Sequence, residues 1–221
     1  MAQFFISASD SDALTRLTRL FGSETLSQTT DGTADVIQTS GGGSGTAWVF
    51  SDASAGNDFE ILLLMKGLTG TGGSLGRHGP AIINTSVNGY VTANNQGSGA
   101  RTDRLDGGGS ALLANNFKIS GVSDWDVDPY RFMKLTRVSG SLEIRIWDEG
   151  QAEPTGTSQS ATDSTYLADM LPGLWAQRQL NFKQISAGTN GDPAPTGPVA
   201  TGPATPINLG VTNLQATSAR L

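Results

Sequence analysis

The sequence predicts an all-β protein built as an antiparallel β-sandwich. Glycine occupies 29 of the 221 positions and aromatic residues make up only 7%, a composition that favours many short strands joined by turns over long helices. Residues 132–138 and 142–147 alternate apolar and polar side chains around the tight-turn sequence Ser139-Gly140-Ser141. This period of two is typical of half-buried strands, and the turn predicts that they form a hairpin.

Other strands are predicted along the rest of the chain. Residues 58–66 form the most hydrophobic run, and because turn residues bound it, we expect a central strand buried on both faces. Residues 94–110 are mostly polar and are expected to be a long loop. Shorter strands are predicted at residues 34–39, 47–50, 81–85, 89–93 and 112–120.

A short helix is predicted near the N-terminus, at residues 12–21. Its apolar side chains recur at helical spacing, with capping residues before and a glycine after: Leu14, Leu17, Phe21, Asp10, Ser11 and Gly22. Residues 14–21 also alternate imperfectly, so a strand is the alternative. Residues 1–27 are therefore expected either to close one end of the sandwich or to attach the protein to a neighbouring subunit.

The C-terminal part changes character after Gly188. Residues 190–205 are rich in proline and nearly free of bulky apolar side chains, which predicts an extended linker. Residues 206–221 regain the alternation of a strand. The sandwich itself is thus expected to span residues 28–189.

Charge and cysteine content exclude several classes of function. The formal net charge is −6, so the surface repels phosphate backbones and no nucleic-acid partner is expected. The chain has no cysteine, which excludes disulfides, thiolate chemistry and sulfur-based zinc sites and favours a bacterial or phage origin. The N-terminus lacks a basic region and its apolar run stops at Ile6, unlike a signal peptide. The run 61–65 is too short to cross a bilayer, so no membrane insertion is expected.

Residues 58–189 resemble the concanavalin A-like (laminin G-like) lectin and glucanase jelly rolls that are often found in phage and bacterial surface proteins. The resemblance rests on the strand DFEILLLMK, the hairpin YRFMKLTRVSGSLEIRIWDEGQAEP and the closing strands LPGLWA and LNFKQISAGT. Residues 206–221 resemble the opening strand of a fibronectin type III module, a domain of roughly 100 residues. Either the chain is part of a longer protein, or this strand is donated to a neighbour.

The catalytic signature of the glucanases in this family is absent. Those enzymes carry two glutamates and an aspartate that alternate along one strand, so that all three face the substrate. The nearest match here runs from Glu143 to Glu149, but Arg145 stands where the middle aspartate belongs. His78, the single histidine, lies in a glycine-rich stretch and is expected to be a solvated loop residue. The chain is therefore expected not to be an enzyme.

Two candidate sites remain. Exposed aromatic side chains could stack on sugars, and the candidates for glycan binding are Trp125, Tyr130, Tyr166 and Trp175. Core packing is the alternative, expected for Trp48 and Trp147. Asp124, Asp126 and Asp128 alternate along the chain, so an extended strand would place three carboxylates on one side, as a calcium site requires. The alternative is a solvated strand edge whose charges discourage edge pairing.

The resemblance and the low charged fraction, 15%, together favour a virion protein. We expect a non-enzymatic structural or adhesive component of a phage particle, a fibre or spike on the head or tail. It would be exposed on the particle surface, form an oligomer, with a trimer favoured, contact other virion proteins through residues 1–27 and bind host surface glycans. The alternatives are a polysaccharide-degrading enzyme and a bacterial surface lectin.

Overall fold

A computed structural model describes residues 2–40, 45–68, 77–95, 98–107 and 109–197. Over these ranges the chain forms fifteen strands and one short 3-10 turn, Ala13–Arg16. The strands are β1 (Gln3–Ser7), β2 (Leu17–Phe21), β3 (Leu26–Asp31), β4 (Ala34–Thr39), β5 (Thr46–Phe50), β6 (Phe59–Gly67), β7 (Arg77–Ile83), β8 (Gly89–Asn94), β9 (Ala100–Asp106), β10 (Gly109–Asn116), β11 (Arg131–Val138), β12 (Ser141–Asp148), β13 (Gln159–Thr162), β14 (Leu171–Gln177) and β15 (Leu180–Thr189).

The described strands form two antiparallel sheets that pack face to face, so the predicted sandwich is confirmed. The eight-stranded sheet has the order β13-β12-β11-β6-β15-β4-β3, with β1 also paired to β15. The seven-stranded sheet has the order β10-β9-β8-β7-β14-β5-β2. Side chains on the facing surfaces, including Phe50, Leu63 and Leu174, form the main core.

The two clearest sequence patterns are confirmed. Strand β6 lies between β11 and β15 and is buried along almost its whole length, as its apolar run predicts. Strands β11 and β12 pair from Arg131 opposite Asp148 to Val138 opposite Ser141. Their turn places Ser139 and Gly140 at positive φ, 48° and 87°, a conformation that hairpin turns favour.

The predicted N-terminal helix is wrong. After the 3-10 turn the chain enters β2, which pairs with β5 from Leu17 opposite Phe50 to Phe21 opposite Ala47. The strand alternative fits better because pairing with β5 buries Leu17 and leaves Thr18 and Arg19 exposed. Residues 2–27 therefore supply strands to both sheets, through β1 and β2, and their role in attachment stays a prediction.

The stretch 94–110, predicted to be a loop, contains β9. Its polar sequence is compatible with a strand because Thr102 faces the core layer, where its hydroxyl lies 3.3 Å from that of Thr92, while Arg101 and Asp103 lie on the outer surface. Strand β9 pairs with β8 on one side and with β10 on the other.

His78 is not a solvated loop residue. It lies on β7 and is completely buried, and its backbone N–H donates to Asn94 Oδ1 at 2.7 Å. Neither ring nitrogen has a hydrogen-bond partner in the described part of the chain. Burial, with a smaller contribution from the charge of Arg178, lowers the pKa of His78 to about 3. The imidazole is therefore neutral at physiological pH.

The first residues of the predicted linker pack against the eight-stranded sheet. Ala194 is buried against Leu62 and Trp147, and its N–H donates to Glu60 Oε1 at 3.1 Å. The rest of the linker and the strand predicted for 206–221 lie outside the described residues. Within those residues, no helix is long and apolar enough to cross a membrane.

Candidate functional site

A groove of about 470 Å³ lies on the outer surface of the seven-stranded sheet. Three strands bring its aromatic residues together: Ala47 on β5 pairs with Phe21 on β2 on one side and with Trp175 on β14 on the other. Because side chains in one row across a sheet point to the same face, the two rings stand on either side of the small Ala47 side chain.

The two rings form a parallel pair at one end of the groove. Their centroids are 6.3 Å apart and their planes lie within 9° of each other. Phe21 remains 38% exposed, whereas Trp175 is 9% exposed. A Cβ atom at Gly45 would overlap the indole of Trp175, so glycine at this position leaves the space that the indole occupies. The groove thus offers an aromatic surface that a ligand can reach.

Apolar side chains pack beneath the groove, and Val91 and Leu105 among them line it. Ala47, Ala81, Val91 and Leu105 pack with Trp175 into a cluster separate from the main core. Gly173 lies in the same row as Ala81, and a Cβ atom there would overlap the backbone carbonyl of Trp48. Residues of this size on neighbouring strands leave a depression, because no long side chain fills the space above the sheet.

The opposite side of the groove is polar. Asp103 on β9 is only 2% exposed, and Arg101 holds it in a two-point interaction: Nε donates to Oδ2 and Nη2 to Oδ1, both at 2.5 Å. The bond to Asp103 raises the pKa of Arg101, so the pair stays charged. Both oxygens of the only carboxylate among the described lining residues are therefore already occupied by a guanidinium.

Arg77 and Gln177 line the end of the groove beside Trp175. They face each other across β7 and β14, two residues along each strand from the facing pair Gly79 and Trp175. Arg77 is exposed, and its guanidinium makes no hydrogen bond or ion pair with any described residue. An aromatic pair, a compensated carboxylate and an uncompensated cation thus surround one cavity.

Of the four aromatic residues predicted to bind glycans, Trp175 lines the groove. Trp125 has no exposed surface and its Nε1 donates to the carbonyl of Gly99 at 2.7 Å, so it cannot stack on a sugar and that prediction is corrected. Tyr130 is 4% exposed, with the Nζ atoms of Lys66 and Lys183 at 5.0 and 4.3 Å from its ring centroid. Tyr130 is therefore also unavailable for stacking.

Tyr166, the remaining candidate, lies away from the groove in a polar network beside β9. Its hydroxyl donates to Asp106 Oδ1 at 2.6 Å, and its ring meets Tyr90 edge-on at 6.3 Å between centroids. The Tyr90 hydroxyl in turn donates to Asp163 Oδ1 at 2.8 Å. Burial, followed by this bond to Asp163, raises the pKa of Tyr90 to about 12. These contacts hold a loop against the sheet, and Tyr166 as a glycan ligand stays a prediction.

The aspartates predicted to bind calcium do not form a metal site. Among the described residues no three His, Asp or Glu side chains are placed to hold a metal ion. The segment forms turns and bends instead of a strand, so Asp124, Asp126 and Asp128 lose the alternation on which the prediction depended. Trp125 points into the core between them, and Asp128 Oδ1 accepts a bond from Lys66 Nζ at 3.1 Å.

The stretch that most nearly matches a glucanase signature lies on the other sheet. Strand β12 carries Glu143 and Arg145 on the outer face of the eight-stranded sheet, where Arg145 Nη1 donates to Glu153 Oε1 at 2.8 Å. Glu149, just beyond β12, accepts bonds from Lys183 Nζ at 2.9 and 2.7 Å. Neither arrangement resembles two carboxylates that flank a glycosidic bond.

The sequence patterns do not mark Phe21, Arg77 or Asp103 as candidate site residues. Phe21 lies in the stretch whose spacing predicts a helix, Arg77 precedes His78 in a glycine-rich stretch, and Asp103 lies in the polar stretch 94–110. For β9 a signal exists: in ARTDRLD the positions Arg101, Asp103 and Leu105 alternate with Ala100 and Thr102. For Phe21 the strand alternation of residues 17–21 was the available signal.

Comparisons with known proteins identify the fold. No protein-family description and no curated protein sequence matches the chain. Among solved structures, the carbohydrate binding module CBM66 from Bacillus subtilis has a TM-score of 0.55 at 15% identity, over 78% of this chain and 96% of that one. The carbohydrate recognition domain of Emp47p has a TM-score of 0.58 at 10% identity, over 85% and 95%.

A third similar structure is an enzyme. The transglycosylase Crh5, in complex with NAG, has a TM-score of 0.56 at 8% identity, over 87% of this chain and 86% of that one. At such identities the likeness establishes the architecture and leaves the activity open, because one fold can carry many functions. The chain therefore shares its sandwich of two antiparallel sheets with a carbohydrate binding module, a carbohydrate recognition domain and a transglycosylase.

Proposed function

We propose that the protein is a non-enzymatic carbohydrate-binding protein whose site is the groove on the seven-stranded sheet. The observation that carries the proposal is the parallel pair of Phe21 and Trp175 beside polar side chains in one cavity. A sugar ring has an apolar C–H face and a rim of hydroxyls, so it requires an aromatic surface and hydrogen-bonding groups close together. The volume of about 470 Å³ falls in the range of small-ligand sites.

The fold neighbours support this proposal by their chemistry. One is a carbohydrate binding module and another a carbohydrate recognition domain. A glycan-processing enzyme shares the architecture, but hydrolysis of glycosidic bonds needs two carboxyl groups about 5 to 9.5 Å apart. Among the described lining residues of the groove, Asp103 is the single carboxylate and Arg101 engages both its oxygens. Binding without catalysis is the function that this groove supports best.

The test is glycan-array screening followed by calorimetry on each glycan that binds. We expect Phe21→Ala to weaken binding about tenfold, since the exposed ring supplies much of the stacking surface and tenfold corresponds to about 1.4 kcal/mol. Phe132→Ala is the matched control because Phe132 stacks on Trp147 on the other sheet, with centroids 5.1 Å apart. The proposal fails if no glycan binds, or if Phe21→Ala binds like the unmodified protein.

We place this binding protein on a phage particle, as a structural or adhesive fibre or spike that contacts host surface glycans. Support comes from the absence of cysteine, the low charged fraction of 15% and the glycan-binding groove proposed above. Mass spectrometry of purified virions should detect the protein, and light scattering should show an oligomer, with a trimer favoured. A gene located beside a secretion system instead of phage structural genes would favour a secreted bacterial lectin.

The competing proposal is that the protein degrades polysaccharides, and the fold likeness to the transglycosylase Crh5 is its support. Release of reducing ends from a host polysaccharide, lost when Glu143 or Glu149 is replaced, would establish it. We expect no release, because Glu149 is bound to Lys183, and the neighbour of Glu143 two positions along β12 is a cation, Arg145.

A further inference from the structure

Arg77 differs from the cations on the outer face of the eight-stranded sheet in having no ion-pair partner among the described residues. On the eight-stranded sheet four cations lie in ion pairs: Lys66 with Asp31 and Asp128, Lys134 with Glu60 and Glu153, Arg145 with Glu153, and Lys183 with Glu149. In the groove, Arg101 and Asp103 compensate each other. Arg77 has no partner within the part of the chain that the structure describes, so it leaves the groove with uncompensated positive charge.

The position of Arg77 is fixed relative to the aromatic pair. Arg77 begins β7, and Gly79, two residues further, faces Trp175 across the strand pair. Two residues of a strand span roughly 7 Å, so the base of the Arg77 side chain lies about one sugar ring from the indole. The guanidinium can therefore reach a substituent on a ring that rests against Phe21 and Trp175.

Asp103 does not neutralise this cation. Both of its oxygens accept bonds from Arg101 at 2.5 Å, and its side chain is almost completely buried. A planar guanidinium with free donors binds carboxylates by two parallel hydrogen bonds. Positive charge at this point contrasts with the formal net charge of −6 on the whole chain. The groove therefore presents a positive charge on a protein whose net charge is negative.

We infer that the groove selects acidic saccharides: Arg77 receives the carboxylate of a sugar whose ring lies against Phe21 and Trp175. This inference rests on the proposed function and adds the substrate class to it. Neutral sugars would use the aromatic pair and the hydroxyl-binding groups, but they would leave Arg77 without a partner.

The experiment compares acids with their own neutral esters. The probes are oligosaccharides of galacturonate, oligosaccharides of glucuronate and sialyl-lactose, each measured by calorimetry beside its methyl ester at the same salt concentration. We expect at least one acid to bind tenfold or more tightly than its ester. Arg77→Gln should remove that difference. Lys118→Gln, which changes net charge equally at an exposed residue outside the described lining of the groove, should preserve it.

The outcomes separate the two proposals. Binding of acids and esters with equal affinity, or of neutral glycans alone, weakened by Phe21→Ala, would overturn acid selectivity and leave carbohydrate binding intact. An acid preference that persists in Arg77→Gln would overturn the role of Arg77. If no probe and no array glycan binds the full chain, both proposals are wrong.

Discussion

Each sheet carries a phenylalanine–tryptophan pair on its outer face, and the two pairs have opposite surroundings. Phe21 and Trp175 line an open groove, with Phe21 38% exposed. Phe132 and Trp147 are stacked 5.1 Å apart on the eight-stranded sheet, and Ala194 from the segment after β15 packs in the same cluster. The same pair of residue types thus lines an open groove on one sheet and packs beneath another segment of the chain on the other.

The difference arises from what surrounds each pair. Long side chains in ion pairs flank Phe132 and Trp147, including Lys134 with Glu153 and Lys183 with Glu149, and they fill the space above the sheet. Beside Phe21 and Trp175 the neighbouring positions are alanine, glycine and valine, which leave the space empty. The identity of an aromatic residue therefore does not decide its role. The size of its neighbours across the sheet does.

The largest expected effect is a loss of stability at acidic pH, caused by His78 on the seven-stranded sheet. His78 is buried on β7 behind the groove, and its pKa of about 3 lies below the 6.5 of an unfolded histidine. The unfolded chain therefore binds a proton that the folded chain excludes, so stability falls as pH drops below 6.5. At about pH 4.5 the free energy of unfolding should be about 2 to 3 kcal/mol lower than at pH 7 through His78 alone.

Urea unfolding of the unmodified protein and of His78→Leu at both pH values measures this effect. His78→Leu should lose most of the decrease, and Asp31→Asn on β3 is the control. The hydrogen bond from Lys66 lowers the pKa of Asp31 below its ordinary value of 3.8, so its contribution is present above that pH and is lost only at lower pH. A parallel loss of stability in the unmodified protein and in His78→Leu would contradict the prediction.

The sequence was sufficient for strands whose two faces differ in polarity. Residues 132–138 and 142–147 alternate because Leu135 and Ile144 face the core and Lys134 and Arg145 face outward, so β11, β12 and their turn were predictable. Strand β6 was predictable because it is apolar on both faces. Strand β9 was missed because its inner face carries Thr102 and its outer face carries charges, and that composition is also typical of loops.

Little of the candidate site could be predicted, because it depends on pairing between distant strands. Trp175 was identified as a candidate from its residue type, but its partner Phe21 lies on β2, at the other end of the chain. Only the common neighbour Ala47 brings the two together. Likewise, nothing local distinguishes Trp147, against which Ala194 packs, from Trp175, which lines the groove.

The second-largest expected effect comes from adding a methyl group at Gly45, next to the Phe21–Trp175 pair. Gly45→Ala would place a methyl group where the Trp175 indole lies, so the indole must shift and its alignment with Phe21 is lost. We expect glycan binding to weaken about thirtyfold, equivalent to about 2 kcal/mol. Gly156→Ala is the control because a Cβ atom there meets nothing within 4 Å. Calorimetry with the best array ligand measures both variants, and unchanged affinity in Gly45→Ala would remove Trp175 from the site.

The smallest expected effect concerns Ala194, which packs against the Phe132–Trp147 pair. Ala194→Asp would place a carboxylate among Leu62 and Trp147 and close to Glu60, at a position only 6% exposed. We expect the segment to detach from the sheet, with a loss of about 1 kcal/mol in unfolding free energy, because detachment avoids the larger cost of burying the charge. Tryptophan fluorescence should shift to longer wavelength as Trp147 meets water.

Thr196→Asp is the control for this change, since it adds the same charge to an exposed residue of the same segment. It should alter neither stability nor fluorescence. In Ala194→Asp, glycan affinity should stay unchanged even though a second aromatic pair becomes accessible, because the ion pairs around Phe132 and Trp147 still exclude a sugar ring. New or tighter glycan binding by Ala194→Asp would show instead that the segment containing Ala194, and not the ion pairs, keeps glycans away from Phe132 and Trp147.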